Sequence, residues 1–330
     1  MAEISIPQMT TISERGKPSQ APADDVCLSL PRCGLDFTAI CDIMKPKDIN
    51  EIREITMDWE KELYDENEKP LDRLVEGYSN TSIFRKIAFV GDSLSSGEFE
   101  RVKEDGKKDF HDMYEYSWGQ HIARRNGLTA YSFSKGGMTA KEYCESFAEE
   151  KGFWAKEKAC QAYVIALGVN DIYNSEDPNV DIGTKNDVDV KDYRNNKKNF
   201  IGYYAQIVSR YKEIVPDAKF FFVGPPRETI FPRPEHQTRG IMDALYGLCD
   251  IFDNCYVIDL YAYGPLYDMR FYRHYWLHTH LNPMGYVLTA KLVDSYIDYI
   301  IRHNLEDFKN VGFIGTGIGY GFEAADTEKA

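Results

Sequence analysis

No apolar run in this sequence approaches the roughly 18 residues that a membrane-crossing helix needs, so no membrane partner is expected. Positive charge is in deficit. The 39 Lys and Arg stand against 53 Asp and Glu, a formal net charge of -14, and such a surface repels nucleic acid and anionic lipid. Cysteine is sparse and unpatterned: Cys27, Cys33, Cys41, Cys144, Cys160, Cys249 and Cys255, with no Cys-x-x-Cys spacing. The opening residues MAEISIPQMTTISERGKPSQ lack a basic start followed by an apolar stretch, so no secretory leader is expected. An odd cysteine count without a leader predicts reduced, mostly buried thiols in a cytoplasmic protein. Cys27, Cys33 and Cys41 have no matching set of further ligands, so no metal is expected. The glycine-rich GTGIGYG at 315–321 follows the last helical pattern, does not fit G-x-G-x-x-G and has no helix after it. It reads as a flexible tail, and no cofactor is expected.

What is present is an alternation. Apolar runs of strand length occur at Lys86–Val90, Thr129–Phe133, Ala162–Leu167, Lys219–Val223 and Tyr256–Asp259. Helical patterns lie between and after them, at 117–127, 139–152, 199–216, 240–254 and from Pro283 to Asn304. Five strands separated by helices predict an α/β fold with a parallel sheet covered on both faces. Before this pattern, residues 1–46 carry only short apolar pieces such as VCLSL (26–30) and FTAIC (37–41). An acidic helix is predicted over 48–68, with Ile49, Ile52, Ile55 and Trp59 at helical spacing. The division expected is an extension (1–85), a main α/β domain (86–304) and a tail (305–330). The extension could lengthen the sheet, cover the core or make a homo-oligomer; the sequence does not choose.

In parallel α/β sheets reactive residues gather outside the carboxyl ends of the strands. Four short stretches fall at such places: GDSLS (91–95), KGGMT (135–139), GVND (168–171) and HTHLNPMGY (278–286). Taken singly, each has an ordinary structural use as turn, cap or core histidine. Together they hold a serine hydroxyl, an imidazole and several N–H donors. A serine hydroxyl becomes a nucleophile when an imidazole takes its proton, and the oxyanion then formed needs donors already in place. The backbone N–H groups of Ser93 and Gly137 and the amide of Asn170 are the candidate donors. Asp92 is expected to brace the turn.

These blocks, in this order, resemble those of the SGNH (GDSL-type) hydrolases, and the resemblance covers about residues 86–304. The stretches from Asn195 to Val223 and from His280 to Ile301 look like intracellular GDSL-type proteins of gut Firmicutes. The resemblance implies a flavodoxin-like three-layer α/β/α sandwich and ester hydrolysis through an acyl-enzyme. By position it makes Ser93 the nucleophile, Gly137 and Asn170 oxyanion donors and His280, rather than His278, the general base. The G-x-S-x-G elbow of other hydrolases is absent, because Ser95 stands at its second glycine.

One departure stands out. Many members of that family carry an Asp three residues before the histidine, where this chain has Leu277. A main-chain carbonyl near Leu277–His278, or a carboxylate such as Asp268, could orient the ring instead. Phe271, Tyr272, Tyr275 and Trp276 precede the histidine and either stack on sugar or fill the core. The acidic loop 174–196, with Asp177, Asp181, Asp187, Asp189 and Asp192, would disfavour anionic substrates if it faced the cleft. The expected substrate is a short-chain acyl ester, an acetylated oligosaccharide or a smaller molecule. The competing readings are a silent glycan-binding module and a metal-dependent phosphodiesterase.

Overall fold

The computed structural model describes residues 63–173, 180–231 and 233–319, all within one unit that runs from Trp59 to Ala330. The expectations for VCLSL, FTAIC, residues 48–62 and the cysteines at 27, 33 and 41 lie outside the described residues, as does Asp177. In chain order the principal elements begin with β1 (Lys86–Gly91), α1 (Ser93–Ser96), β2 (Glu98–Val102) and β3 (Lys108–Asp112). There follow α2 (Trp118–Asn126), β4 (Thr129–Ser134), α3 (Ala140–Glu142), a π-turn at Tyr143–Phe147 and α4 (Ala148–Glu150). After β5 (Ala162–Ala166) come α5 (Val169–Tyr173), α6 (Phe200–Ile214), β6 (Lys219–Val223), α7 (Glu235–Cys249) and β7 (Cys255–Ile258). The chain closes with α8 (Leu260–Tyr263), α9 (Met269–Tyr275), β8 (Trp276–Leu277), β9 (His280–Leu281), α10 (Pro283–His303) and α11 (Leu305–Phe308).

Five strands form one parallel sheet in the order β4-β1-β5-β6-β7. β1 pairs with both neighbours over the same stretch, so Gly91 lies level with Ser134 on one side and Ala166 on the other. Ile87, Ala88, Phe89 and Val90 are fully buried. That is why the strand reads as a continuous apolar run: helices cover both of its faces. The predicted α/β/α sandwich with a five-stranded parallel sheet is the observed fold.

Helix boundaries follow capping chemistry. The Ser117 hydroxyl accepts the Gln120 N–H at 3.2 Å, and Gly127, at φ +64°, ends α2 in a left-handed cap. Asn199 accepts the Gly202 N–H at 3.1 Å, and Asn282 accepts that of Gly285 at 2.9 Å with Pro283 in the first turn. Two expectations need correction. The helix expected over 240–254 runs from Glu235 to Cys249, because Pro234 opens it early and the chain turns back at Asn254, φ +62°, to enter β7. The acidic helix does not reach Glu68. Asp65 accepts the Asn67 N–H at 2.8 Å, and the Glu68 N–H closes a turn on the Asp65 carbonyl at 3.0 Å.

Residues 63–84 are tied to α10 through polar contacts. Val75 N–H donates to Ser295 at 3.0 Å, the Ser79 hydroxyl to Asp294 at 2.6 Å, and Asn80 N–H to Asp298 at 2.8 Å. The antiparallel hairpin β2–β3, with the left-handed Gly106 in its loop, was not foreseen from the hydrophobic pattern. It springs from the end of α1, directly after GDSLSS.

Candidate active site

Ser93 is the first residue of α1, immediately beyond the carboxyl end of β1. Asp92 caps that helix: one carboxylate oxygen accepts the Leu94 N–H at 3.0 Å. The other accepts from the Asn170 amide at 3.3 Å. Asp92 therefore braces the turn as expected. Burial drives its pKa up to about 6, against the opposing pull of the Leu94 N–H, Arg233 and His280.

The loop after β4 turns at Lys135–Met138, closed by a 3.2 Å bond from Met138 N–H to the Lys135 carbonyl. Gly137 occupies its third position at φ +73°, a conformation that suits glycine in such a turn. Asn170 lies on α5 and also donates to the Met138 carbonyl at 3.3 Å, which ties GVND to GGMT. Next to it, Asp171 accepts the Ala140 N–H at 3.1 Å and 3.2 Å, and burial pushes this carboxyl up to about 7. His280 opens β9, just before α10.

Ser93, Asn170 and His280 line one cavity of about 340 Å³, together with Asp92, Leu94, Glu228, Arg233 and Trp276 among others. Three of the four sequence-derived candidates thus share a wall of the same space. Gly137 is not among the lining residues; it stands exposed on the neighbouring loop. His278, the rejected alternative base, is exposed on the β8–β9 turn at φ +58° and is also outside the lining. Of the aromatics, Trp276 lines the cavity, whereas Phe271 is buried and stacks on Tyr267 with centroids 3.8 Å apart. In the acidic loop, Asp187, Asp189 and Asp192 accept hydrogen bonds from the loop's own Thr184, Lys191 and Arg194 N–H groups. None of them faces this cavity. Among the described residues no three His, Cys, Asp or Glu side chains are grouped as metal ligands. No helix among them is long and apolar enough to cross a membrane.

The family model of the GDSL-like lipase/acylhydrolase family matches residues 89–288. The chain belongs to this family. Membership makes this GDSL-like acylhydrolase a hydrolase of ester bonds. No curated protein matches the chain. Among solved structures it is similar to a family two carbohydrate esterase from Clostridium thermocellum in complex with cellohexaose. The identity there is 18%, over 73% of this chain and 66% of that one, with a TM-score of 0.46. It is also similar to a lipase/acylhydrolase from Enterococcus faecalis, at 19% identity over 66% of this chain and 96% of that one, TM-score 0.40. A family 3 carbohydrate esterase from Clostridium thermocellum gives 14% identity over 66% of this chain and 98% of that one, TM-score 0.43.

The surroundings of His280 in this acylhydrolase correct the sequence reading. Asp268 does not orient the ring; its carboxylate caps α9 on the Phe271 N–H at 2.9 Å. The His278 carbonyl is taken by the Tyr272 hydroxyl at 2.6 Å. Two glutamates of β2 face the ring instead. Glu98 Oε1 is 3.0 Å from His280 Nε2, and Glu100 Oε2 is 3.9 Å from Nδ1. Thr279 bridges the second approach, with its Oγ1 3.2 Å from Nδ1 and its hydroxyl donating to Glu100 Oε2. Glu98 also packs against Gly136, where a β-carbon would push the Glu98 carboxylate from its present place.

These glutamates went unread because they follow the serine in a segment with no apolar periodicity. A signal was there: GEFE places two carboxylates at alternate positions, on one face of a strand, and the Asp105-Gly106 pair marks a hairpin turn.

Proposed function

We propose that the chain is a serine esterase that removes short acyl groups, acetyl above all, from a carbohydrate through an acyl-enzyme. The observation that carries this reading is the shared cavity: Ser93, Asn170 and His280 border one space at the carboxyl edge of the sheet. At about 340 Å³ it is near the small end of ligand sites, which suits a short acyl group better than a long chain. Trp276 offers a flat apolar wall for a sugar face, and the Glu228–Arg233 ion pair, 3.0 Å long, supplies polar groups for hydroxyls.

In this reading the Ser93 hydroxyl oxygen attacks the ester carbonyl carbon while His280 takes the hydroxyl proton. The carbonyl electron pair moves onto oxygen, where the N–H of Ser93 and the Asn170 amide receive it; Gly137, outside the lining, joins them only if its loop moves inward. Collapse expels the sugar alkoxide, to which His280 returns the proton. Water then repeats the sequence on the acyl-serine, releasing the carboxylic acid and restoring Ser93. Asn170 must turn its amide from Asp92 and Met138 toward the oxyanion, and Glu98 must leave Nε2 for that nitrogen to take the proton.

A second reading, glycan binding without cleavage, is favoured by one observation: Glu98 occupies the Nε2 side of His280. A fluorophosphonate probe separates the two. The esterase reading expects a stoichiometric mass shift on Ser93 and turnover of p-nitrophenyl acetate and acetylated sugars, all lost in Ser93→Ala. Equal rates for wild type and Ser93→Ala would refute it.

A further inference from the structure

We propose that Glu100, acting through the Thr279 hydroxyl, is the acid arm that positions His280 in place of the carboxylate missing at Leu277. The inference rests on the esterase reading above. Its chemistry begins with the direction of one hydrogen. The Thr279 hydroxyl donates to Glu100 Oε2, so Oγ1 turns its lone pairs toward His280 Nδ1, 3.2 Å away. An acceptor at that position selects the tautomer with hydrogen on Nδ1. Nε2 is then the nitrogen left to act as base once the Glu98 carboxylate, which stands 3.0 Å away and accepts an Nε2–H where it is, has moved aside.

Glu100 is built to stay charged. Its side chain is fully buried, and burial alone would favour the neutral acid. Lys108 Nζ at 2.7 Å, with the hydroxyl and N–H of Thr279, outweighs burial and holds its pKa down to about 2. At 3.9 Å its carboxylate is too far from Nδ1 for a direct hydrogen bond, yet close enough to attract an imidazolium formed in the reaction. The hairpin fixes this geometry. Glu100 pairs with Phe110 across β2–β3, and the Phe110 ring stands edge-on to the imidazole at 5.7 Å. Glu98 faces the opposite nitrogen, Nε2, and so does not hold the Nδ1 side where the arm acts. Asp92, on α1's cap, also interacts electrostatically with the ring, but its own hydrogen bonds go to Leu94 and Asn170; Glu228, on the same cavity, is paired with Arg233.

Glu100 is thus a positioning residue, and its test reads positioning as well as rate. Wild type, Glu100→Gln, Thr279→Val, Thr279→Ser and the Gln/Val double variant are compared for kcat and KM on p-nitrophenyl acetate. The tautomer of His280 is read by ¹⁵N NMR without substrate, at a pH where the ring is neutral. The expectation is a drop in kcat of about 10²-fold for Glu100→Gln and Thr279→Val, with KM within roughly 2-fold. The double variant should be no worse than either single one, because both break the same link. Thr279→Ser, which keeps the hydroxyl, should stay within about 3-fold of wild type, and the Nδ1–H signal should persist there and vanish in Thr279→Val. Thr279 is exposed, so its Val variant tests the relay even if Glu100→Gln fails to fold. Unchanged kcat and tautomer in Thr279→Val would overturn the inference while leaving a labelled, active Ser93 intact. A wild type that neither labels at Ser93 nor turns over ester would sink the esterase reading instead, and the NMR result would still decide the relay.

Discussion

Asp92 and Asn170 carry residue-scale consequences that can be measured apart from each other. Removing one oxyanion donor usually costs about 10²–10³ in kcat, so Asn170→Ala should show that loss with KM little changed, by steady-state kinetics. Asp92 instead reports through stability. Its pKa rises from 3.8 to about 6 on folding, so the folded chain binds the extra proton between those values. Stability is therefore highest below the unfolded value and is lost as pH rises through the folded one. Asn caps a helix as well as Asp and has nothing to ionise. Asp92→Asn should match wild type in Tm near pH 4 and exceed it above about pH 6, measured by thermal melts across pH. A constant Tm difference across that range would show that the Asp92 carboxyl is not raised.

At the scale of elements, α10 is the helix on which the preceding segment hangs. Arg302, near its end, bonds Glu68 through both terminal nitrogens at 2.6 Å and 2.9 Å and Asp298 through Nε at 2.8 Å. All three side chains are less than a tenth exposed. Breaking a buried charge network by deleting one partner strands the others without compensation, typically at about 3–5 kcal/mol. Arg302→Ala should lower stability by roughly that amount in urea unfolding, while Arg302→Lys, which keeps charge but loses the planar fork, should lose less. The hairpin β2–β3 is the complementary case. Its residues are largely exposed, yet it delivers Glu98 and Glu100 to His280, and Ser96 fastens it to α1 through Asp112.

Across the whole molecule, one ring cluster joins segments distant in sequence. Phe221 of β6 is fully buried and packs edge-on to Phe84, ahead of β1, and flat against Tyr256 of β7 and Phe308 of α11. Truncating a buried Phe costs about 3–5 kcal/mol, the lost transfer energy plus a cavity. Phe221→Ala should therefore lower Tm in one cooperative step, by roughly 2–4 °C per kcal/mol at this size, with secondary and tertiary probes coinciding. Separate transitions would show that the sheet and the flanking segments unfold independently.

Much of this was legible from composition and period alone. The inner strands β1, β5 and β6, buried on both faces, are nearly apolar throughout and announced themselves, while the edge strand β4, TAYSFS, is mostly half-buried and followed from the alternation. The Ser117, Asn199 and Asn282 caps set the helices between and after the strands. Strand ends in such a sheet share one edge, which puts the stretches holding Ser93, Asn170 and His280 at one cavity; it is the resemblance to the SGNH hydrolases that singles out those three within them. The partners of His280 were not legible. A carboxylate five or seven residues past the serine reads as surface charge until a hairpin folds it back by nearly 180 positions onto Thr279. Local sequence determines which elements form and where their ends lie, because periodicity and capping act within a few residues. Only the tertiary structure decides which charges meet, because burial and hydrogen bonding between distant segments depend on the packing that brings them together.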